Sequence, residues 1–167
     1  MNIFVLSTNH DEAAKWHVDK HVSKMPLESA QLLCTNLNNI NVPSPYKSCH
    51  MKHPCTLWVG MSRSNFEWLC GLGLSLCEEY QYRYGRVHAC RAVIEYCKFQ
   101  AKNFVDNGLT PFAQAMPDEY KRPDAVDAYR AYYNGGKRHL ATWSKRSRPD
   151  WWVSNEEIAD IKEGTHV

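Results

Sequence analysis

At 167 residues and 44% hydrophobic content, the chain has the size of one ordinary domain and enough apolar material for a buried core. A formal net charge of +2 is too small to imply a nucleic-acid partner by itself. No run approaches the roughly 18 to 20 consecutive apolar residues of a membrane span, and the opening MNIFVLSTNHDEAAK lacks a basic stretch followed by a long apolar one. The chain therefore reads as neither secreted nor membrane-embedded.

Residues 2–6, NIFVL, form a short apolar run suited to a strand or to an extended arm tucked into a core. Thr8 with Asp11 three places on reads as a helix start, and the first helix is expected over residues 9–36, kinked or divided at Pro26. A polar loop from Asn36 to Pro54 follows. Phe66, Leu69, Cys70, Gly73, Leu76, Cys77, Tyr80 and Tyr84 recur at steps of three and four, which predicts a second long helix stopped by Gly85. A third helix is expected over about 88–103, with Cys90, Val93, Ile94 and Cys97 on one face. Gly108, Pro111, Pro117 and Pro123 punctuate an ordered loop, and short helices are expected at 124–133, at 137–144 and in the tail, where Ser154 and Glu157 form a capping box. Gly135-Gly136 reads as a turn. The expected fold is all-α: a compact bundle of three main helices with short C-terminal helices and a short extended N-terminal segment. Residues 1–153 form one helical domain and 154–167 an acidic C-terminal tail.

The seven cysteines are odd in number and mostly spaced as core positions, so they are expected to be reduced and buried.

On a helical wheel, Lys24, His21, Glu28 and Gln31 fall within about 40° of His17, with His10 and Thr35 on the same line. Val18, Val22, Met25 and Leu32 flank this stripe on one side, and Ala13, Trp16 and Leu27 on the other, which puts polar groups in the core-facing sector. Titratable groups there are costly unless paired, hydrated in a cleft or used. His17, His21, Lys24 and Glu28 are therefore candidate catalytic residues, against the alternative of a buried network that ties helices together.

His17 and His21 stand four apart, and the loop CHMKHPC adds His53, so a metal site on His17, His21 and His53 is an alternative reading. With Glu28 as base, such a site would make a metal-dependent hydrolase.

Basic and aromatic residues cluster twice. Arg83, Arg86 and His88 stand among Tyr80, Tyr82 and Tyr84, while Arg130, Lys137, Arg138, Lys145, Arg146 and Trp151 lie within the tract that runs from Lys121 to Trp152. Such sets can neutralise phosphates and stack on bases, or they can be a solvated basic face whose aromatics belong to the core.

The segments HVSKMPLESAQLL, HPCTLWVGMSRSNFEWL, EEYQYRYGRVH, LTPFAQAMPDEYK, YRAYYNGGK and PDWW together resemble a family of short, functionally uncharacterised proteins of large tailed phages. That resemblance implies the cytoplasm of an infected bacterial host. Residues 15–85 also resemble, in pattern, the phage pyrimidine-dimer DNA glycosylase called endonuclease V. That small all-α enzyme carries a histidine seven residues before its catalytic glutamate, which His21 and Glu28 match. The resemblance implies a DNA glycosylase and lyase that needs no cofactor, with DNA or a nucleotide as partner. The glycosylase family's nucleophile is the amine of a threonine exposed by removal of the initiator methionine. Asn2 stands at that position here, so the amine is expected from Lys24, with His21 and Glu28 as the acid–base pair. A non-catalytic binder of nucleotides or of a host protein is the alternative.

Overall fold

The computed structural model describes residues 1–158. Within them the chain forms helices α1 (His10–Trp16), α2 (Asp19–Asn39), α3 (Pro54–Gly60), α4 (Arg63–Tyr84), α5 (Arg91–Gln100) and α6 (Ala125–Gly136). Short 3-10 turns lie at Ala101–Asn103, Asp118–Tyr120 and Arg138–Leu140, and there is no strand among the described residues. The fold is all-α.

Helix α4 is the axis of the molecule, packed against α1, α2, α3 and α5. Ser62 starts it by accepting a hydrogen bond from the Asn65 N–H at 3.1 Å, and Gly85 ends it in the left-handed region at φ 68°. Its apolar face, with Phe66, Leu69, Cys70, Leu72, Leu76 and Cys77, is sealed in the core. This is the helix that the three-four spacing predicts. Helix α5 buries Ile94 and Cys97 as expected, but starts at Arg91, because His88 instead uses Nδ1 to accept from the Cys90 N–H. All seven cysteines are free thiols, and all but Cys49 are buried.

The first helix departs from expectation. It breaks at His17 and Val18, both extended, while the chain stays helical across Pro26. Partners from distant parts of the sequence stabilise the break. Arg83 donates to the carbonyls of Lys15 (2.9 Å) and His17 (2.8 Å), the Trp143 indole donates to the Trp16 carbonyl (2.8 Å), and the Asp19 N–H donates to the Thr142 carbonyl (2.8 Å). Helix-end carbonyls need donors, and here tertiary groups supply them. The cap of α1 is Asn9, whose side chain accepts from Glu12 N–H, instead of Thr8.

Three further corrections apply. The stretch before the second long helix is not all loop, since α3 begins at Pro54 with His53 as its cap. Gly135 and Gly136 lie in the last turn of α6, where a Cβ on Gly135 would meet the Tyr120 ring at 2.4 Å. The helix expected at 137–144 is only the 3-10 turn Arg138–Leu140. In the tail the capping box forms, with Ser154 N–H donating to Glu157 Oε2 and Glu157 N–H to Ser154 Oγ. The rest of the expected tail helix, with Asp160 and Glu163, lies outside the described residues.

Gly60 ties α3 to α2. The buried Asn36 amide donates to the Leu32 (2.9 Å) and Thr56 (3.0 Å) carbonyls, and a Cβ on Gly60 would stand 2.3 Å from Asn36 Oδ1. Gly60→Ala is expected to displace that amide and lower stability by about 2 kcal/mol, since each lost buried hydrogen bond outweighs alanine's helix preference. Urea unfolding measures it, and an unchanged midpoint would contradict the packing described.

The N-terminal arm has no regular secondary structure and is buried from Ile3 to Leu6. Phe4 meets the rings of His21, Tyr129 and Tyr133, so the arm runs between α2 and α6. Asn2 anchors its start: its amide donates to the Ala115 carbonyl at 2.8 Å and its Oδ1 accepts from Tyr129. This arm builds one wall of a cleft.

Candidate active site

The cleft has a volume of about 470 Å³, within the range of about 300–1,000 Å³ typical of small-molecule pockets. Helix α2 supplies His21, Lys24, Met25 and Glu28, and the arm supplies Met1, Asn2 and Phe4. Because α2 starts at Asp19, its residues 21, 24 and 28 stay in helical register and share one face. His53, Gln114 and Lys121 lie opposite on connecting segments, and Tyr132 and Lys137 come from the end of α6.

At the floor, the α-amino group of Met1 stands 3.2 Å from Glu28 Oε1. The Met1 side chain is only 4% exposed although the residue as a whole is half-buried, so its remaining exposure belongs to the main chain. The Glu28 side chain is 10% exposed. Lys24 and Lys121 at the rim are exposed, and Lys121 also pairs with Asp118 at 2.9 Å. Lys137 Nζ lies 5.2 Å from the centre of the Tyr132 ring, a cation–π contact. One nearly buried carboxylate thus shares the cleft with the Met1 nitrogen and the lysines Lys24, Lys121 and Lys137.

The histidines differ sharply from one another. Burial, reinforced by the charges of His17, Lys137 and Lys24, holds His21 down to about 2. His17 is fully buried and held down to about 4 by burial. It caps the end of α1, its Nδ1 bonds the Ala13 carbonyl at 2.6 Å, and it does not line the cleft. Its expected catalytic role is thereby corrected, because the break in the first helix takes it out of the register of α2 and its ring is sealed among Phe4, His21 and Tyr133. The same break separates His10, which instead bonds Ser75 on α4. Gln31 does not line the cleft.

The metal reading fails on geometry. Among the described residues no group of three or more His, Cys, Asp or Glu is placed to hold a metal ion. His53 spends Nδ1 on the Cys55 N–H, and His21 spends Nδ1 on Tyr133.

Most of the basic residues assigned to nucleic acid are engaged internally. Arg83 is buried and bonded to Glu79, Asp19 and two carbonyls, so it offers nothing to a phosphate. Arg146 binds both Glu79 oxygens. Arg130 donates to the Leu6 carbonyl and lies over Trp16 and Trp151, and Arg138 donates to the Asn134 and Val153 carbonyls. His88 bonds the Ser23 carbonyl, Lys145 the Tyr82 carbonyl, and Trp151 packs on Tyr133. Arg86 is exposed, and Lys137 alone of the set reaches the cleft. Met1 was not a candidate from the sequence, and Lys121 and Tyr132 belonged there only to the basic and aromatic C-terminal tract, not to the site of His21 and Glu28. The three sit far apart along the chain, without a shared spacing to mark them.

Set against known protein families, curated proteins and solved structures, the chain matches none.

Proposed function

We propose that this protein is a DNA-directed enzyme that works through an amine nucleophile, a glycosylase or abasic-site lyase, with the Met1 α-amino group as nucleophile and Glu28 as its acid–base partner. The observation that carries this reading is the 3.2 Å pairing of that amine with a nearly buried carboxylate under a rim of lysines. It revises the expectation of Lys24, which is exposed at the rim.

The chemistry follows from the groups present. Glu28 takes a proton from the ammonium, and the neutral amine attacks C1′ of a nucleotide sugar. The C1′–N bond breaks, the base leaves with the bonding pair and takes up a proton, and opening of the ring C1′–O bond leaves an imine. At an abasic site the amine condenses with the C1′ aldehyde and releases water. The carboxylate also stabilises the positive charge on the sugar, and Lys24, Lys121 and Lys137 suit flanking phosphates. An enzyme that acts on a base takes one nucleotide out of the stack, which a cleft of this size suits.

Borohydride trapping on a duplex with one abasic site tests the proposal. A covalent adduct is expected, mapped to the Met1 peptide, with intact mass establishing that the purified chain begins at Met1. One extra residue ahead of Met1 moves the amine by about 3.8 Å and should abolish trapping, whereas Lys24→Ala should retain it. Glu28→Gln should slow trapping about a hundredfold. No adduct with abasic or damaged DNA would remove the enzymatic reading.

A second reading is favoured by the internal pairing of Arg83, Arg130, Arg138 and Arg146, which leaves little of the expected basic surface for a duplex. The same cleft would then hold a nucleotide without reaction. Calorimetric titration with nucleotides, showing saturable binding and no turnover, would support this binder over the enzyme.

A further inference from the structure

His21 has one ring nitrogen tied to the protein and one reached from the cleft. Nδ1 lies 2.7 Å from the hydroxyl of Tyr133, a wholly buried residue on α6. That hydroxyl also receives the Val18 N–H at 3.4 Å. A phenol has one proton, and its only acceptor among the described residues is His21 Nδ1. If Nδ1 instead carried a proton and donated it, the Tyr133 O–H would be buried without an acceptor, an arrangement that costs about 1–3 kcal/mol. Among the described residues Nε2 makes no hydrogen bond, yet it is not one of the sealed polar atoms that lack partners, which are His17 Nε2 and Trp151 Nε1. His21 lines the cleft, and the Phe4 ring stacked on it at 4.2 Å and 15° fixes the plane of the imidazole.

We propose that His21 meets the ligand of this cleft as a neutral Nε2–H hydrogen-bond donor, and that Tyr133 is the positioning residue that fixes this tautomer. The proposal rests on the cleft being the substrate site, and it changes the part His21 plays there. A neutral imidazole polarises an acceptor on the ligand, such as a carbonyl or a sugar ring oxygen, without surrendering its proton, which leaves proton transfer to Glu28. Burial supports the same picture from two sides: it raises Tyr133 well above the usual phenol range, so that it stays a donor, and keeps His21 uncharged.

The tautomer is read directly from long-range proton–nitrogen correlation spectra of protein labelled with nitrogen-15 in histidine, with His21→Gln identifying the signal. An unprotonated Nδ1 and a protonated Nε2 are expected near neutral pH. Tyr133→Phe, which removes only the hydroxyl, should give a mixture of tautomers or Nδ1–H while the His53 and His88 signals keep their pattern. A protonated Nδ1 in the unaltered protein overturns the proposal, and so does an unchanged pattern in Tyr133→Phe. If that variant does not fold, the spectrum of the unaltered protein still decides. In the trapping reaction, His21→Leu should be about tenfold slower, the worth of one hydrogen bond, with partial rescue by His21→Gln. Equal rates for His21→Leu and the unaltered protein would overturn the donor role. Absence of any adduct counts against the glycosylase reading alone, because the tautomer is measured without ligand.

Discussion

Arg83→Met is expected to lower the unfolding free energy by about 3–5 kcal/mol, the usual result of removing one partner from a buried ionic network. The Arg83 side chain has no exposure, and its guanidinium holds Glu79 at 2.9 Å and Asp19 at 3.0 Å. It also supplies donors to the Lys15 and His17 carbonyls, where α1 ends. Methionine fills the space but strands those carbonyls and leaves Asp19 without its cation. Glu79 keeps Arg146 at 2.8 Å, so the damage centres on the break between α1 and α2. Arg83→Lys should recover only part of the loss, because an ammonium cannot reproduce the planar fork. Arg146→Ala, at a partly exposed pair, should cost less. Urea unfolding checks the series, and an Arg83→Met protein within about 1 kcal/mol of the unaltered one would refute the structural role. The result also separates this role from a phosphate contact, whose loss would weaken binding and leave folding intact.

The second large effect is acid instability governed by histidines. His17 and His21 are both held down in the folded protein, to about 4 and about 2, chiefly by burial. An unfolded histidine titrates near 6.5, so between about pH 6.5 and 4 the unfolded chain binds protons that the folded one refuses. Stability therefore rises with pH across that window, is fully present above it, and is lost as pH falls. Each histidine contributes a slope of about 1.4 kcal/mol per pH unit, or roughly 3 together. Against a typical domain stability of about 5–15 kcal/mol, this brings acid unfolding close to the bottom of the window. Asp19 and Glu79, held below the usual carboxylate range by Ser144 and Arg83 and by Arg146 and Arg83, add their loss at still lower pH. Urea unfolding at several pH values measures the slope, and His17→Leu should halve it. A flat profile between pH 6.5 and 4 would show that the two rings are not buried in the way described.

These two results bear on the candidate site. Burial keeps His21 uncharged, with Phe4 stacked on it and Tyr133 bonded to it, and the residue lies in the first turn of α2, directly after the break that Arg83 braces. Arg83 does not line the cleft, and it holds the chain just ahead of the helix that carries His21.

How much of this was legible in the chain varies by element. Helix α4 was plain, because its apolar spacing, its serine start and its glycine stop all act locally. His21, Lys24 and Glu28 were legible as one face for the same reason, helical register over a few residues. The break at His17–Val18 was not, because no local breaker is present and its donors come from Arg83 and Trp143. Helix α3 escaped because seven residues are too few for periodicity and its cap is a histidine. The arginines looked like a nucleic-acid surface because composition does not reveal which charges are already paired.

By itself, then, the sequence determined an all-α chain, its central helix, and three polar residues on one face of α2, all consequences of interactions within a turn or two of backbone. The tertiary structure alone decided that those residues form the wall of a cleft, that the chain's own amine meets Glu28 there, and that Lys121, Tyr132 and Lys137 complete it. These groups lie up to 136 positions apart, from Met1 to Lys137, and only packing of the buried arm between α2 and α6 brings them together.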